Sequence, residues 1–467
     1  MSFLIVLAAL SFLMFVAYRG YSVILFAPIA ALGAVLLTDP SLVAPMFTGL
    51  FMDKMVGFLK LYFPVFLLGA IFGKVIEISG FSKSIVAATI RLFGAQRAML
   101  SIVAVCAILT YGGVSLFVVV FAVYPFAAEI FRQSNIPKRL IPGTIALGAF
   151  TFTMDALPGT PQIQNIIPTA FFGTTSWAAP VLGTVGGIFI LIMGMLYLES
   201  RRRKAAAAGE GYGDEATLLN EPTSFSGGKL AHPLVAVLPL VLVAVSNKLF
   251  SQWIPQLYGT SHAFIPAVIG EPAPVVQEIA KIAGIWAVLG ALLVGILTVI
   301  AFAWRPVLAS FADGTRTAIG GALLAAMNTA SEYGFGAVIA ALPGFLVVAN
   351  ALGAIPNPLI NEAVTVTALA GITGSASGGM SIALAAMADT FIANANAAGI
   401  PMEVLHRVAS MASGGMDTLP HNGAVITLLA VTGLTHRQAY KDIFAITVIK
   451  TLAVFVIIGV FYATGWV

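Results

Sequence analysis

An aspartate, a proline, a histidine and an asparagine crowd into Met416-Asp417-Thr418-Leu419-Pro420-His421-Asn422-Gly423, with apolar sequence on both sides. An ionisable group in such a setting is costly. On insertion scales an aspartate at the centre of a membrane helix costs about 2.5–3.5 kcal/mol, so its presence marks a functional site. The same signature stands earlier, at Met154-Asp155-Ala156-Leu157-Pro158-Gly159. A helix broken there exposes the free N–H groups of one half and the free carbonyls of the other. The N-terminal end suits an anion, and the C-terminal carbonyls suit a cation or a proton carrier.

The residue types around these breaks point to proton exchange and carboxylate binding. Asp155, Asp417, His421 and Glu332 are the candidates for coupling to a proton or cation, because a carboxyl shielded from water and an imidazole both exchange protons near neutral pH. Ser375, Ser377, Gly378, Gly379 and Ser381 offer a backbone and hydroxyl cradle for a carboxylate, as do Gly112, Gly113 and Ser115. The new half-helix is expected to start near Thr418 to His421, with Pro420 in its first turn and His421 and Asn422 facing the anion. Few midspan cations are evident, so dipoles and hydroxyls would hold the carboxylate. The simpler alternatives are helix capping for Asp155 and Asp417, packing for His421, and interfacial positions for Glu77 and Glu332 at span ends. His232, His262, His406 and His436 lie near loops or ends and receive no role.

The rest of the chain must place these groups inside a bilayer. Of its 467 residues 59% are hydrophobic and 9% charged, with a mean hydropathy of +1.00. That composition excludes a soluble globular domain. Continuous apolar runs of about 20 residues, in place of alternating strands, exclude a β-barrel. The expected fold is an all-α polytopic membrane protein, and its 46 glycines and 24 prolines fit close helix packing and broken helices. The one cysteine, Cys106, lies in an apolar run, so no intrachain disulfide is expected. Without a basic n-region or cleavage site, the N-terminus reads as a first span.

In chain order, apolar segments fall at about 3–18, 21–38 and 59–78. Residues 82–97, with Lys83, Arg91 and Arg97, suit an amphipathic helix at the interface. Segments around the Gly112-Gly113 and Met154-Pro158 breaks and a span at 177–198 complete a first repeat, 1–198. Residues 199–229 form a polar linker, which Arg201-Arg202-Arg203-Lys204 beside a span end marks as cytoplasmic. A second repeat, 230–467, holds spans at about 233–249 and 282–303. Further segments fall at 317–331 (ending Ser331-Glu332-Tyr333-Gly334-Phe335), 336–353, 360–377 and 381–395, before the Asp417 region and a last span at 443–463.

Three landmarks recur in order at nearly constant separation. Gly112-Gly113-Val114-Ser115 matches Gly378-Gly379-Met380-Ser381, Ile136-Pro137 matches Ile400-Pro401, and Met154-Asp155-x-Leu157-Pro158 matches Met416-Asp417-x-Leu419-Pro420. The first Ile-Pro loop carries Arg132, Lys138 and Arg139, whereas residues 393–401 carry no cation. By the positive-inside rule the two loops face opposite sides, so the repeats are inverted, with interrupted helices meeting near the midplane. That is the architecture of secondary transporters. An enzyme reading lacks its motifs: the chain has no His-Glu-x-x-His, no Gly-x-Ser-Gly segment, and neither aspartate context of an intramembrane protease. A channel would need neither matched proton carriers nor inverted halves.

The chain resembles the gluconate/proton symporter (GntP) family of the ion-transporter superfamily over most of its length. The resemblance is carried by Gly112-Gly113-Val114-Ser115-Leu116-Phe117, Glu332-Tyr333-Gly334-Phe335-Gly336, Gly374-Ser375-Ala376-Ser377 and Thr418-Leu419-Pro420-His421-Asn422. It implies proton-coupled symport of a small hydroxycarboxylate across the bacterial inner membrane, by a moving transport domain in a homodimer. Where gluconate-type members carry a polar Ser-His-x-Asn-Asp-Ser-Gly-Phe-Trp run, this chain has Pro420-His421-Asn422-Gly423-Ala424-Val425-Ile426, and Leu116-Phe117-Val118 replaces a Phe-Phe-Asp context. Fewer polar groups disfavour a polyol. Met-Asp-x-Leu-Pro-His-Asn-Gly resembles the branch associated with 3-hydroxybutyrate. Gluconate or a citrate-like acid remains the alternative substrate, and sodium the alternative coupling ion. No cofactor, metal or nucleic-acid partner is expected; the partners are a small carboxylate and membrane lipid.

Overall fold

The computed structural model describes residues 2–19, 21–93, 97–114, 116–213, 218–221, 230–265, 274–347, 355–420 and 422–467. The described chain is helical apart from one antiparallel ribbon, β1 (Ser261–Phe264) with β2 (Val275–Glu278), in the loop where the sequence showed only an outer connection. The first half runs through α1 (Ser2–Tyr18), α2 (Val23–Thr38), α3 (Met52–Ile78), α4 (Phe81–Phe93), α5 (Ala98–Tyr111), α6 (Leu116–Gln133), α7 (Ile141–Ala149), a single turn at Phe152–Asp155, α8 (Ile163–Phe172) and α9 (Pro180–Ala207). The second half holds α10 (Pro233–Tyr258), α11 (Ile279–Phe302), α12 (Trp304–Ala341), α13 (Pro358–Thr373), α14 (Ala376–Ala397), α15 (Met402–Gly415), α16 (Gly423–Thr432) and α17 (His436–Thr464).

Two kinds of interrupted element occupy the middle of the protein. The arms α5 and α6 pack side by side, as do α13 and α14, so each pair is a hairpin that folds back at its break. The elements α7–α8 and α15–α16 are broken helices whose pieces run on across the break. At about 1.5 Å per residue, the 9 residues of α7 and the 10 of α8 and α16 each reach only about half of a hydrocarbon core roughly 30 Å thick.

The two halves are inverted. Lys138, just before α7, bonds Leu219 and Glu221 of the linker, whereas Thr174, just after α8, bonds His406 near the start of α15. The first broken helix therefore leaves the linker side. The second returns to it, since Asn220 donates to Ala430 O and Tyr124 OH reaches Thr432 O at the end of α16. The loop at 397–401 thus lies opposite the cationic loop at 132–139, as the charge asymmetry predicted. Linker residues pack on that cationic corner: Arg132 pairs with Glu221 and Arg139 with Glu210, while Arg139 also reaches Asp442 of α17. The Arg139 guanidinium holds the Glu210 carboxyl below the usual carboxylate range.

Long helices surround these elements. α12 packs along α3 and α14, α10 along α11, and α9 along α17, and one contiguous apolar core runs through the molecule. Leu37, Leu234 and Leu297 stand exposed, as lipid-facing residues do. α4 is the expected amphipathic helix, with Phe81, Ile85 and Val86 buried and Lys83 and Leu92 outward. Three boundaries differ from the sequence reading. α12 runs unbroken through Ser331-Glu332-Tyr333-Gly334-Phe335, because Gly334 and Gly336 bring it against Phe51 and Ile382 without interrupting its hydrogen bonding. The second hairpin turns at Gly374-Ser375, so Gly378-Gly379 lie inside the first turns of α14. α16 starts at Gly423, after Pro420.

The inverted arrangement makes a direct prediction. In a Cys106→Ser background, a membrane-impermeant thiol reagent applied to one face should label either Gln133→Cys or Ala398→Cys, and never both. Labelling of both from one face would contradict the inversion.

Candidate functional site

The site is built where each hairpin tip meets a broken helix. In the second half Ser375 is the N-cap of α14, its Oγ accepting from Gly378 N at 3.1 Å. Asp417, from the break in the other element, caps the same helix end: its Oδ1 accepts from Ala376 N at 3.2 Å. Asn422 joins the two breaks. Its Nδ2 donates to Gly374 O (2.7 Å) and to Asp417 Oδ1 (2.9 Å), while its Oδ1 accepts from Ala424 N (2.7 Å) as the N-cap of α16. A hydroxyl chain extends from this tip, with Ser375 Oγ 3.4 Å from Ser377 Oγ and Ser377 Oγ 3.3 Å from Thr329 Oγ1 of α12.

The first half repeats the scheme. Gln162, the N-cap of α8, donates through Nε2 to Thr110 O (2.7 Å) and Val114 O (3.3 Å) at the first hairpin tip. Tyr111 OH donates to Pro158 O at 2.8 Å. In both halves an amide side chain opening one half-helix therefore satisfies carbonyls stranded at the neighbouring break, which in a membrane have no water to turn to.

Asp155 lies beyond this first crossing, packed against Gly414 of α15. Its backbone carbonyl accepts from Arg407 Nη1 (2.9 Å) and Ser410 Oγ (2.8 Å). Arg407 is fully buried and also donates to Ala178 O and to Asn165 Oδ1. Asn165 Nδ2 donates to Thr160 O and Ser176 O, which fixes its Oδ1 as an acceptor. His406 Nε2, 3.2 Å from that oxygen, is therefore a donor, and Nδ1 faces Thr174 Oγ1 at 2.6 Å. A second buried cation, Lys450 of α17, donates from Nζ to Phe150 O at 2.9 Å.

Of the residues singled out in the sequence, Ser375, Ser377, Asp417 and Asn422 come together at the second crossing, whereas Asp155 lies apart from them against Gly414. Ser115 and His421 lie outside the described residues. The glycines serve close approach. Gly378 admits the Glu332 carboxylate against the first turn of α14, Gly379 lets the hairpin arms meet at Ala370, and Gly112 and Gly113 seat the first tip against Leu240, Leu292 and Pro161. Gly378 N is taken by Ser375, so these positions do not form the open cradle expected of them. Glu332 is in mid-helix and buried, not at a span end, and its Oε2 has no hydrogen-bond partner. Ser381 is likewise buried with a free Oγ. Glu77 is exposed and pairs with Lys74, as an interfacial acid would.

Arg407 and Lys450 escaped the sequence reading, and His406, which that reading set near a loop or end without a role, is fully buried and bonded to Thr174 and Asn165. Lys450 carried a usable signal, as the only charged residue in the apolar stretch from Ile443 to Thr464. Glu362 of α13, fully buried with both carboxylate oxygens unpartnered, also went unnoticed. On the side away from the linker, a cavity of about 440 Å³ opens between α3, α8 and α12, lined by Lys54, Lys60, Tyr62, Phe171 and Tyr333, the neighbour of Glu332. No group of acids, histidines or cysteines among the described residues is arranged to hold a metal.

Paired hairpins and paired broken helices in inverted halves, with a buried acid, Asp417, at the second crossing, define a membrane transporter. Over 475 residues, covering 100% of both chains, the sequence is 60% identical to the Bacillus subtilis (strain 168) protein named "Uncharacterized transporter YxjC". The chain belongs to that transporter family. No family profile matches it. Its fold is similar to the crystal structure of the Alcanivorax borkumensis YdaH transporter, with a TM-score of 0.53, 14% identity, and coverage of 92% of this chain and 90% of that one.

Asn165 is the acceptor on which the buried Arg407 and His406 both depend. Asn165→Leu should destabilise the protein by about 1–3 kcal/mol, the usual cost of leaving buried donors without their acceptor. The check is the thermal midpoint of the detergent-solubilised protein, and an unchanged midpoint would show that the network is not supporting the fold.

Proposed function

We propose that the chain is a secondary active transporter that carries a small hydroxycarboxylate, with 3-hydroxybutyrate as the favoured substrate, in symport with protons across the bacterial inner membrane. The observation that carries this reading is the crossing of the second hairpin with the second broken helix, where Asp417 and Asn422 meet the N-terminus of α14 beside the Ser375–Ser377–Thr329 hydroxyls. A helix N-terminus with hydroxyls suits a carboxylate, and an acid capping the same end changes that helix's charge balance when it takes a proton. Protonation of Asp417 and arrival of a substrate anion are thereby linked at one place.

Glu332, against the first turn of α14, has an oxygen free to carry a proton. The 440 Å³ cavity on the side opposite the linker carries Lys54 and Lys60 against one acid, Asp53, a net positive lining that would favour anions. The apolar Ala424-Val425-Ile426 after Asn422 favours a short acid with few hydroxyls over gluconate. In this reading the linker is cytoplasmic, the protein works as a homodimer, and the resemblance to gluconate/proton symporters supports the chemistry.

The test is uptake of labelled D-3-hydroxybutyrate into proteoliposomes under an imposed pH gradient, with gluconate and citrate as competitors. Accumulation resisted by neither competitor is expected. Asp417→Asn, which keeps a hydrogen-bonding side chain, should abolish gradient-driven accumulation while sparing exchange; full accumulation by that variant would remove Asp417 from the coupling mechanism.

A further inference from the structure

Lys54 and Lys60 lie on α3, inside an apolar helical run that extends over Pro40–Ile78. An ammonium in such a run is expensive, and where one persists it marks a pathway for substrate or ions. Both residues are exposed, and among the described residues no carboxylate pairs with either. Asp53 is the one acid beside them in the cavity of about 440 Å³ between α3, α8 and α12, a volume inside the range of small-molecule pockets, roughly 300–1,000 Å³. The lining therefore holds positive charge that nothing in it fully neutralises.

The rest of the lining is aromatic. Tyr333 of α12 meets the rings of Phe58 (5.6 Å between centroids) and Phe171 (6.2 Å), and Phe58 meets Tyr62 (4.6 Å). The Tyr62 hydroxyl is spent on Ile167 O at 2.9 Å, so that ring offers only its carbons. Ammonium groups beside aromatic carbon suit an amphipathic anion, a carboxylate carrying a short apolar chain. A polyol acid would give up water from its hydroxyls against these rings.

The cavity leads to the second crossing. Glu332, next to Tyr333, lies against Gly378 in the first turn of α14. Thr329 stands one turn from Tyr333 on the same face of α12, about 5–6 Å away. Its Oγ1 is 3.3 Å from Ser377 Oγ, which is 3.4 Å from Ser375 Oγ. An anion at Tyr333 is thus one helical turn from the hydroxyls that open α14 beside Asp417.

We propose that this cavity is a binding site of its own, on the side away from the linker, that captures monocarboxylates bearing a short apolar chain before they reach the second crossing. Lys54 and Lys60 take the carboxylate, the Phe58–Tyr333–Phe171 cluster takes the chain, and Thr329 leads on to Ser377 and Ser375. The last step rests on reading that crossing as the transport site; the capture step does not.

The test uses cysteine reporters on two walls of the cavity, Ala170→Cys on α8 and Val56→Cys on α3, each in a Cys106→Ser background. Reagent applied to membrane vesicles from the face that labels Ala398→Cys should modify them. A sulfonate-bearing methanethiosulfonate should outpace its trimethylammonium counterpart roughly tenfold once each rate is divided by that for free cysteine. That ratio should fall as salt rises, and Lys54→Gln with Lys60→Gln should bring it close to one. Butyrate and D-3-hydroxybutyrate should slow the modification and gluconate should not, with protection lost in the lysine variant. Butyrate need not be transported, so protection by butyrate without uptake of D-3-hydroxybutyrate would support the capture site and place the error in the transport reading. Three results overturn the proposal: both reporters inert from that face, a normalised ratio near one with both lysines present, or protection that butyrate does not give or gluconate gives equally. Each is read without the lysine variant, so misfolding of that variant does not shield the proposal.

Discussion

A backbone interrupted inside a bilayer must find partners for its stranded N–H and carbonyl groups within the protein, and the centre of this transporter is arranged around that requirement. Asn422 meets most of it in the second half, donating to Gly374 and Asp417 while capping Ala424. Gln162 does the corresponding work in the first half. Because each hairpin tip is satisfied by the neighbouring broken helix, neither can shift alone without stranding polar groups. The two interrupted elements of a half are thereby bound into one mechanical unit, and the long helices α3, α10, α11 and α12 form the surroundings against which such a unit would move.

Much of this was visible in the sequence because breaks in apolar runs carry their own residues. The repeated Met-Asp-x-Leu-Pro marks both broken helices, and the cations at 132–139 against none at 393–401 give the inversion. The sequence did not reveal that the Gly112 and Gly374 breaks are hairpin tips, since a break looks alike whether the chain crosses or returns; only the packing of α5 on α6 and α13 on α14 decides it. Glu332 misled for a related reason. An acid followed by glycines looks like the end of a span, but a carboxyl buried against Gly378 leaves the helical hydrogen bonds intact, and α12 continues.

The site was legible in its acids and hidden in its cations. Asp155 and Asp417 stood out against apolar neighbours, while Lys450 was absorbed into a span that still reads as apolar around it. Arg407 sits beside His406 and Glu403, polar neighbours against which a single cation does not stand out. The capping alternative for Asp417 and its place at the candidate site prove to be one fact: it caps a helix, but the helix belongs to the neighbouring hairpin. Capping across elements cannot be foreseen from local sequence.

Arg407 belongs to the second half, yet its acceptors, the carbonyls of Asp155 and Ala178 and the side chain of Asn165, all come from the first. A guanidinium left in hydrocarbon without them would be uncompensated. Synthesis from the N-terminus delivers the first half to the bilayer before α15 emerges, so the receptor for this charge is in place when its helix inserts. The order of the two halves in the gene is therefore part of how the protein is assembled: a rearranged chain that began with the second half would expose a charged helix to lipid before anything existed to receive it.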